Sequence, residues 1–304
     1  MSRRGSSTPG IDGLLVVDKP VGVSSHDVVS MVRRAYGQRR VGHAGTLDPS
    51  AAGVLLVCLG RATRLLEYLV GCDKAYTGQI VLGVETDTCD ADGEVMETLD
   101  ASALTVELVA GAMAVFVGDI QQVPPAVSAK KINGQPAYRL ARRGEIPALE
   151  AVPVHVASFD LLGLEPGEQA VATVSVRCGS GTYIRSLAHD LGAALGVGAH
   201  LRGLVRTSVG RHTRDEAIGA DVLALMPEND RLAALRPLRE CVESLPKVTI
   251  PADVYPLLRD GKLLPAAPER GVVALLSTDG EVLAVAEARE DGIHPRKVLI
   301  GPEP

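Results

Sequence analysis

One carboxylate in this sequence stands in a turn that suits chemistry. Asp48 follows Gly42, His43 and Gly45 and is followed directly by Pro49. Glycine permits backbone angles that other residues resist, and proline disfavours helix at the residue before it, so the carboxylate should sit on a defined turn. The same residue types also build ordinary surface turns. The turn alone therefore indicates either a reactive acid or a surface Asp-Pro turn.

Further motifs on both sides of this turn favour the reactive acid. They are LLVVDKP (14–20) with Gly22 and Ser24-Ser25, the stretch 40–69, KAY (74–76), GVETDTCDADG (83–93), QVPP (122–125) with Ser128-Ala129, and GSGTYIR (179–185). Together, over residues 11–210, they resemble the TruB family of tRNA pseudouridine synthases. Several separate motifs in one order are far more specific than any single motif. The resemblance implies isomerisation of uridine 55 in the T loop of tRNA to pseudouridine, with no cofactor.

The resemblance also implies roles for individual residues. Asp48 matches the catalytic aspartate, which attacks either C1′ of the sugar or C6 of the base of a uridine flipped out of its stack. Arg185 matches the arginine that pairs with this acid, and Tyr183 either handles the C5 proton or holds Arg185. The substrate-binding residues would be Tyr76 as the platform for the uracil, Leu204 in the pocket wall, His43 in place of the extruded base, Lys19 near the site, and Lys130, Lys131, Arg142 and Arg143 as phosphate contacts.

Other functions are less well supported by the sequence. A calcium loop starting at Thr88 would have Leu99 rather than glutamate at its twelfth position, and the P-loop, GxSxG and HExxH motifs do not occur. Two alternatives stay open: a non-catalytic RNA-binding or tRNA-folding protein on the same scaffold, and a related synthase that acts on ribosomal or guide-directed sites.

Composition limits the location and the assembly of the chain. The 304 residues contain 46% apolar residues but no apolar run of the length that spans a bilayer, and no apolar segment follows the N-terminal arginines. Five widely spaced cysteines lack a CxxC or Cys/His pattern, which predicts free thiols and no metal. We expect a cytoplasmic monomer whose partner is the T arm of tRNA, with no membrane contact.

The net charge of −6 argues against a nucleic-acid partner until its distribution is considered. Basic residues gather in 121–145, in 199–214 and at 33–40. Each cluster alone also fits a solvated surface. Three such clusters in an acidic chain predict a localised RNA footprint, with acidic residues elsewhere limiting non-specific binding.

Periodicity predicts an α+β fold, with a mixed, mostly antiparallel sheet flanked by helices, because strands and helices do not alternate regularly. A helix over 25–36 is capped by Ser24 or Ser25, and Thr63 caps a second helix that runs to Val70. The predicted domains are a disordered start (1–10), the catalytic domain (11–245), and a small β-rich domain (246–304). The last contains a hairpin turn at 278–281 and resembles a PUA-like RNA-binding domain, with a structural cap as the alternative.

Overall fold

The computed structural model describes residues 10–125 and 149–300, together with the backbone of 131–132 and 135–136. The predicted disordered start lies outside these residues except for Gly10. So do Lys130, Arg142 and Arg143, and the side chain of Lys131.

The strands within these ranges form two larger sheets and two short hairpins. In chain order they are β1 (Gly13–Lys19), β2 (Val41–Ala44), β3 (Ala51–Leu59), β4 (Lys74–Leu82), β5 (Val84–Thr86), β6 (Val95–Thr98), β7 (Gly118–Gln122), β8 (Lys131–Ile132), β9 (Gln135–Pro136), β10 (Val152–Glu165), β11 (Ala170–Cys178), β12 (Ala199–Val209), β13 (His212–Thr213), β14 (Ile218–Gly219), β15 (Lys247–Thr249), β16 (Gly271–Leu276), β17 (Val282–Arg289) and β18 (Gly292–Val298).

The main sheet has the order β14-β1-β3-β12-β4-β11-β10-β7, with β2 added on β3 and β13 on β12. Its neighbours run antiparallel except for two parallel pairs, β1 with β14 and β3 with β12. Strand β3 is buried along its whole length, because strands flank it on both edges and side chains cover both faces. The predicted mixed, mostly antiparallel sheet is confirmed.

Six α-helices are described, and the longer ones cover the faces of the main sheet. They are α1 (Ser25–Ala35), α2 (Leu66–Val70), α3 (Val106–Ala114), α4 (Ile184–Leu195), α5 (Glu228–Ala233) and α6 (Tyr255–Arg259). The first helix packs Val28, Val29 and Val32 against β1 and β3. The fourth packs Leu187 and Leu191 in a second cluster with β4 and β11. These two helices, which lie far apart in the sequence, bring their N-termini to the same loop.

Local capping explains one predicted helix start and corrects another. Ser24 caps α1, since its hydroxyl accepts the Asp27 N–H (3.1 Å) while the Asp27 carboxylate accepts the Ser24 N–H (2.9 Å). The predicted cap at Thr63 is wrong. Thr63 lies inside a 3₁₀ helix (Gly60–Leu65) and donates its hydroxyl to the carbonyl of Gly60 (2.7 Å). The α-helix starts only at Leu66.

The C-terminal strands form their own sheet in the order β15-β16-β17-β18, with the predicted hairpin between β16 and β17. This sheet packs on the main sheet through apolar residues such as Val285 and Leu299. Polar contacts join the same surfaces: Arg61 donates to the carbonyl of Leu299 (2.6 Å), and Lys297 donates to that of Arg64 (2.7 Å). No helix in the described ranges is long and apolar enough to cross a membrane.

Candidate active site

The loop that carries Asp48 joins β2 to β3 and is held by the start of α1. The buried hydroxyl of Ser25 accepts the N–H of Leu47 (2.9 Å) and donates to the Leu47 carbonyl (3.0 Å). On the other side of Asp48, the Gly22 N–H donates to the carbonyl of Pro49 (2.8 Å). The backbone is therefore fixed immediately before and after the carboxylate, as the sequence predicted for a reactive acid on a defined turn.

Lys19 supports this loop from behind. Its side chain is fully buried, and its Nζ donates to the carbonyls of Val23 (2.8 Å), Pro20 (3.0 Å) and Pro49 (3.4 Å). Burial lowers the pKa of Lys19 to about 8, although the nearby Asp48 raises it. Lys19 therefore lies behind the loop of Asp48, and it is not among the residues that line the cavity described below.

Asp48 forms an ion pair with Arg185, as the resemblance implied. Arg185 Nη2 lies 2.9 Å from Asp48 Oδ2, in the first turn of α4. Its Nη1 lies 3.3 Å from Asp90 Oδ2 and donates to the carbonyl of Thr88 (3.3 Å). The arginine side chain is 8% exposed, whereas that of Asp48 is 45% exposed. The guanidinium is thus anchored at its rear, and it presents Asp48 to solvent in one orientation.

Gln122, at the end of β7, fixes the backbone of Tyr183. Its side-chain oxygen accepts the Tyr183 N–H (2.8 Å), and its amide nitrogen donates to the Tyr183 carbonyl (3.0 Å). Gln122 is fully buried. A second link follows, because the Ser186 hydroxyl donates to the carbonyl of Val123 (2.7 Å). The QVPP motif therefore sets the start of α4, on which Arg185 stands.

These elements surround a cavity of about 360 Å³. Asp48 and Arg185 stand at its wall together with Tyr76, Tyr183 and Leu204, so five of the residues predicted for the site converge there. Tyr76 on β4 is buried, and this burial raises the pKa of its phenol. Thr46, Leu47, Ala51, Ile184 and Thr182 also line the cavity, as do two cations, Lys74 and Arg206.

The basic cluster in 199–214, which was expected to form part of an RNA footprint, contains one buried arginine, Arg206. Its side chain is 1% exposed rather than part of a solvated face. Nε donates to the carbonyl of Val54 (2.7 Å), and Nη2 donates to that of Gly45 (2.9 Å) in the loop of Asp48. Burial lowers the pKa of Arg206, and a hydrogen bond with Tyr76 opposes that effect. This residue belongs to the cavity, while Arg202 on the same strand is exposed.

His43 lies on β2, beside the cavity rather than in its lining. Its Nδ1 is buried and has no hydrogen-bond partner within the described residues. Burial lowers the pKa of His43, with Arg206 and His26 adding to the effect. A neutral imidazole is favoured, which suits a ring that stacks rather than one that acts through charge. The predicted phosphate contacts at Lys130, Lys131, Arg142 and Arg143 lie outside the described side chains.

The described part of the chain contains no group of three or more His, Cys, Asp or Glu side chains that could hold a metal. All five cysteines are free thiols, and Cys58 and Cys178 are buried.

Sequence reasoning missed four residues that shape the site: Asp90, Ser25, Gln122 and Arg206. The first three stand inside motifs that the sequence displayed, but a motif does not reveal which member reaches which backbone group. Asp90 was considered only as part of a calcium loop. Its contact with Arg185 shows that it supports the ion pair.

Comparisons with known proteins agree with this geometry. The model of the TruB family pseudouridylate synthase N-terminal domain matches residues 33–184, and that of the tRNA pseudouridylate synthase B C-terminal domain matches 185–246. The chain is 43% identical over 289 residues to the tRNA pseudouridine synthase B of Mycobacterium bovis (strain BCG / Pasteur 1173P2), and 47% identical over 290 residues to that of Mycobacterium sp. (strain KMS). Each alignment covers 95% of both chains.

Solved structures show the same architecture. A chain of an H/ACA RNP bound to a substrate RNA containing 2′-deoxyuridine is 26% identical, with a TM-score of 0.72 over 95% of this chain and 85% of that one. A chain of the archaeal box H/ACA sRNP Nop10-Cbf5 complex is 25% identical, with a TM-score of 0.71 over 95% and 86%.

Proposed function

The chain belongs to the TruB family of pseudouridine synthases, and from that premise we propose that its target is uridine 55 in the T loop of tRNA. Membership makes the chain an isomerase that forms pseudouridine in tRNA, and it confirms the family and the fold predicted from the motifs. The position of the uridine and the role of each side chain are the finer parts of the proposal.

One observation supports the mechanism: a loop carboxylate, paired with a buried arginine, faces a cavity whose lining includes Tyr76, Tyr183 and Leu204. In the proposed reaction Asp48 is the nucleophile on a flipped-out uridine. It attacks either C1′, displacing N1, or C6 of the base. The C1′–N1 bond breaks, the uracil turns, C5 bonds to C1′ and the carboxylate is released; C5 then gives up its proton and N1 takes up a proton. Atoms are conserved, so the reaction needs no cofactor.

Arg185 orients Asp48 and balances its charge while the carboxylate is free. Tyr76 and Leu204 hold the detached uracil, because a phenol ring and an isobutyl group can enclose the flat base without binding its polar edge. Tyr183, at the same wall, receives the C5 proton or keeps Arg185 in place.

The uridine must leave its stack before it can reach this cavity, and extrusion costs a few kcal/mol. We propose that His43, beside the cavity, fills the vacated position with its flat ring. Lys130, Lys131, Arg142 and Arg143 would bind the phosphates of the T arm, and the C-terminal sheet would add a PUA-like RNA contact. As a tRNA-modifying enzyme, the chain would act as a monomer in the cytoplasm.

The experiment is tritium release from a tRNA transcript labelled at uridine C5, with filter binding in parallel. The wild-type chain should release one equivalent per tRNA, and uridine 55→cytidine in the transcript should abolish that release. Asp48→Asn should bind tRNA but release nothing, because a carboxylate contributes little attraction to a polyanion. Binding without release by the wild type would instead favour an RNA-folding protein. Release from the transcript that lacks uridine 55 would assign a different target.

A further inference from the structure

Arg206 is the largest fully buried side chain of the described residues, and it lies in the wall of the substrate cavity. An arginine keeps its proton in proteins, so the wall holds a full positive charge. Buried charges are normally paired with an opposite charge, since desolvation is costly. In the part of the chain that the structure describes, Arg206 makes no ion pair with an acid. Its partners are the carbonyls of Val54 and Gly45 and the phenol of Tyr76.

The charges around the cavity are unbalanced in the same direction. Of the described residues that line it, Asp48 is the one acid, and it is already paired with Arg185. Lys74 and Arg206 are both buried, and Lys74 is bound by the carbonyls of Cys72 (2.6 Å) and Val70 (2.7 Å). The cavity wall therefore has an excess of positive charge beside the tyrosine proposed to hold the uracil.

Negative charge develops on the uracil by either route open to Asp48. If the carboxylate displaces N1 from C1′, the electron pair of the broken bond stays on N1 and spreads to O2 and O4. If it adds to C6, the pair of the C5–C6 double bond moves to C5 and O4. The charge disappears when C5 uses that pair to bond C1′. A fixed cation beside the ring would thus stabilise the charged intermediate more than the neutral uridine, and such a difference is what lowers the barrier of a reaction.

We infer that Arg206 is a further catalytic residue, which stabilises the negative charge on the uracil while the base is detached from, or activated on, the sugar. The inference rests on the proposed function, because it requires the uridine to occupy this cavity. It assigns the guanidinium a second role beside its bracing of the Asp48 loop through Gly45. The two roles predict different effects of an Arg206 substitution when the leaving uracil is made a better anion.

The test compares two synthetic T-arm RNAs that carry one isotopically labelled target nucleotide, either uridine or 5-fluorouridine. Fluorine withdraws electrons and stabilises the uracil anion by itself. Loss of the C1′–N1 bond is followed in single turnovers at saturating RNA, by nuclease digestion and chromatography. Arg206→Met should slow uridine conversion by about 10²-fold or more, the usual effect of removing a charge-stabilising donor. For 5-fluorouridine we expect a loss at least about tenfold smaller.

Two further variants help to separate the charge of Arg206 from its support of the Asp48 loop. Arg206→Lys keeps a cation and should recover part of the rate on uridine, and it serves alone if Arg206→Met does not fold. Arg177→Met, an exposed arginine on β11, is the matched control and should convert both RNAs like the wild type. Equal losses on the two RNAs would mean that Arg206 only braces the loop, which overturns the inference while leaving the proposed function intact. A wild-type chain that converts neither RNA would overturn both.

Discussion

Replacing Gln122 by methionine should displace Arg185, one partner of the proposed catalytic ion pair, without changing either partner. Methionine has nearly the same length and is apolar, so it fills the buried space but breaks both hydrogen bonds to Tyr183 (2.8 and 3.0 Å). The Tyr183 N–H then loses its partner, whereas the Tyr183 carbonyl keeps the N–H of Leu187 (3.2 Å). A buried group left unsatisfied costs about 1–3 kcal/mol, so the free energy of unfolding should fall by about that amount. Because Tyr183 immediately precedes α4, the loosened backbone also moves Arg185.

The assay for this variant is the single-turnover rate of tritium release, measured well below the melting temperature of the variant. A displacement of about 1 Å at a reacting group can cost about 10²-fold, and we expect a loss of about 10- to 100-fold with tRNA affinity unchanged. Gln121→Met, on the exposed face of the same strand, should keep the wild-type rate. Val109→Ala, a buried truncation in α3, controls for lowered stability alone and should also keep it.

Gln122→Glu tests the geometry of the clamp by pH. An ionised glutamate only accepts, so it cannot donate to the Tyr183 carbonyl, whereas a protonated glutamate accepts and donates as glutamine does. Burial favours the protonated form. The rate of this variant relative to the wild type should therefore rise as the pH falls from about 8 to about 6. A relative rate that does not change with pH, or a methionine variant as fast as the wild type, would refute the positioning role.

Two further predictions concern packing and buried charge. Gly53 has φ +104°, and a Cβ there would lie 2.2 Å from the Arg206 carbonyl oxygen. Gly53→Ala should therefore lower the free energy of unfolding in urea by about 3 kcal/mol or more. Gly163→Ala on β10, where a Cβ would meet open space, should change it by less than about 1 kcal/mol, and similar losses for the two variants would contradict this prediction. Lys19 should make stability rise with pH, because between its folded pKa of about 8 and its ordinary 10.5 the unfolded chain holds the proton and the folded chain does not. The urea midpoint of the wild type should therefore gain on that of Lys19→Met between pH 8 and 10, and a constant difference would contradict the assignment.

Elements with local signals could be predicted closely from the sequence. The capping box at Ser24 fixes the start of α1, and the hairpin between β16 and β17 follows from the Asp279-Gly280 turn. The predicted start of α2 was wrong. Threonine is a common N-cap residue, but the Thr63 hydroxyl donates to the carbonyl of Gly60, three residues earlier in the 3₁₀ helix. Composition does not distinguish these two uses of a threonine hydroxyl.

The position of Arg206 could not be derived from spacing. Residues four apart on a regular strand face the same side, so Arg202 and Arg206 should share one environment. Strand β12 instead has a register shift between Arg202 and Leu204, where its pairing with β4 is interrupted. One extra residue reverses the alternation, which leaves Arg202 exposed and turns Arg206 into the cavity. Irregularities of this kind depend on the pairing of distant strands.

The way in which these buried cations are solvated explains how an acidic chain can offer a positive site. Lys19, Lys74 and Arg206 all direct donors at main-chain carbonyls, which satisfy hydrogen bonds without cancelling the charge. Carboxylates in place of these carbonyls would have compensated the buried charges and so stabilised the folded chain. They would also have cancelled the positive electrostatic potential in the cavity. Of the described cations that line the cavity, Arg185 alone is paired with acids, and one of these is the proposed nucleophile. The charge that matters to the substrate is therefore the local excess at the cavity wall rather than the net charge of −6.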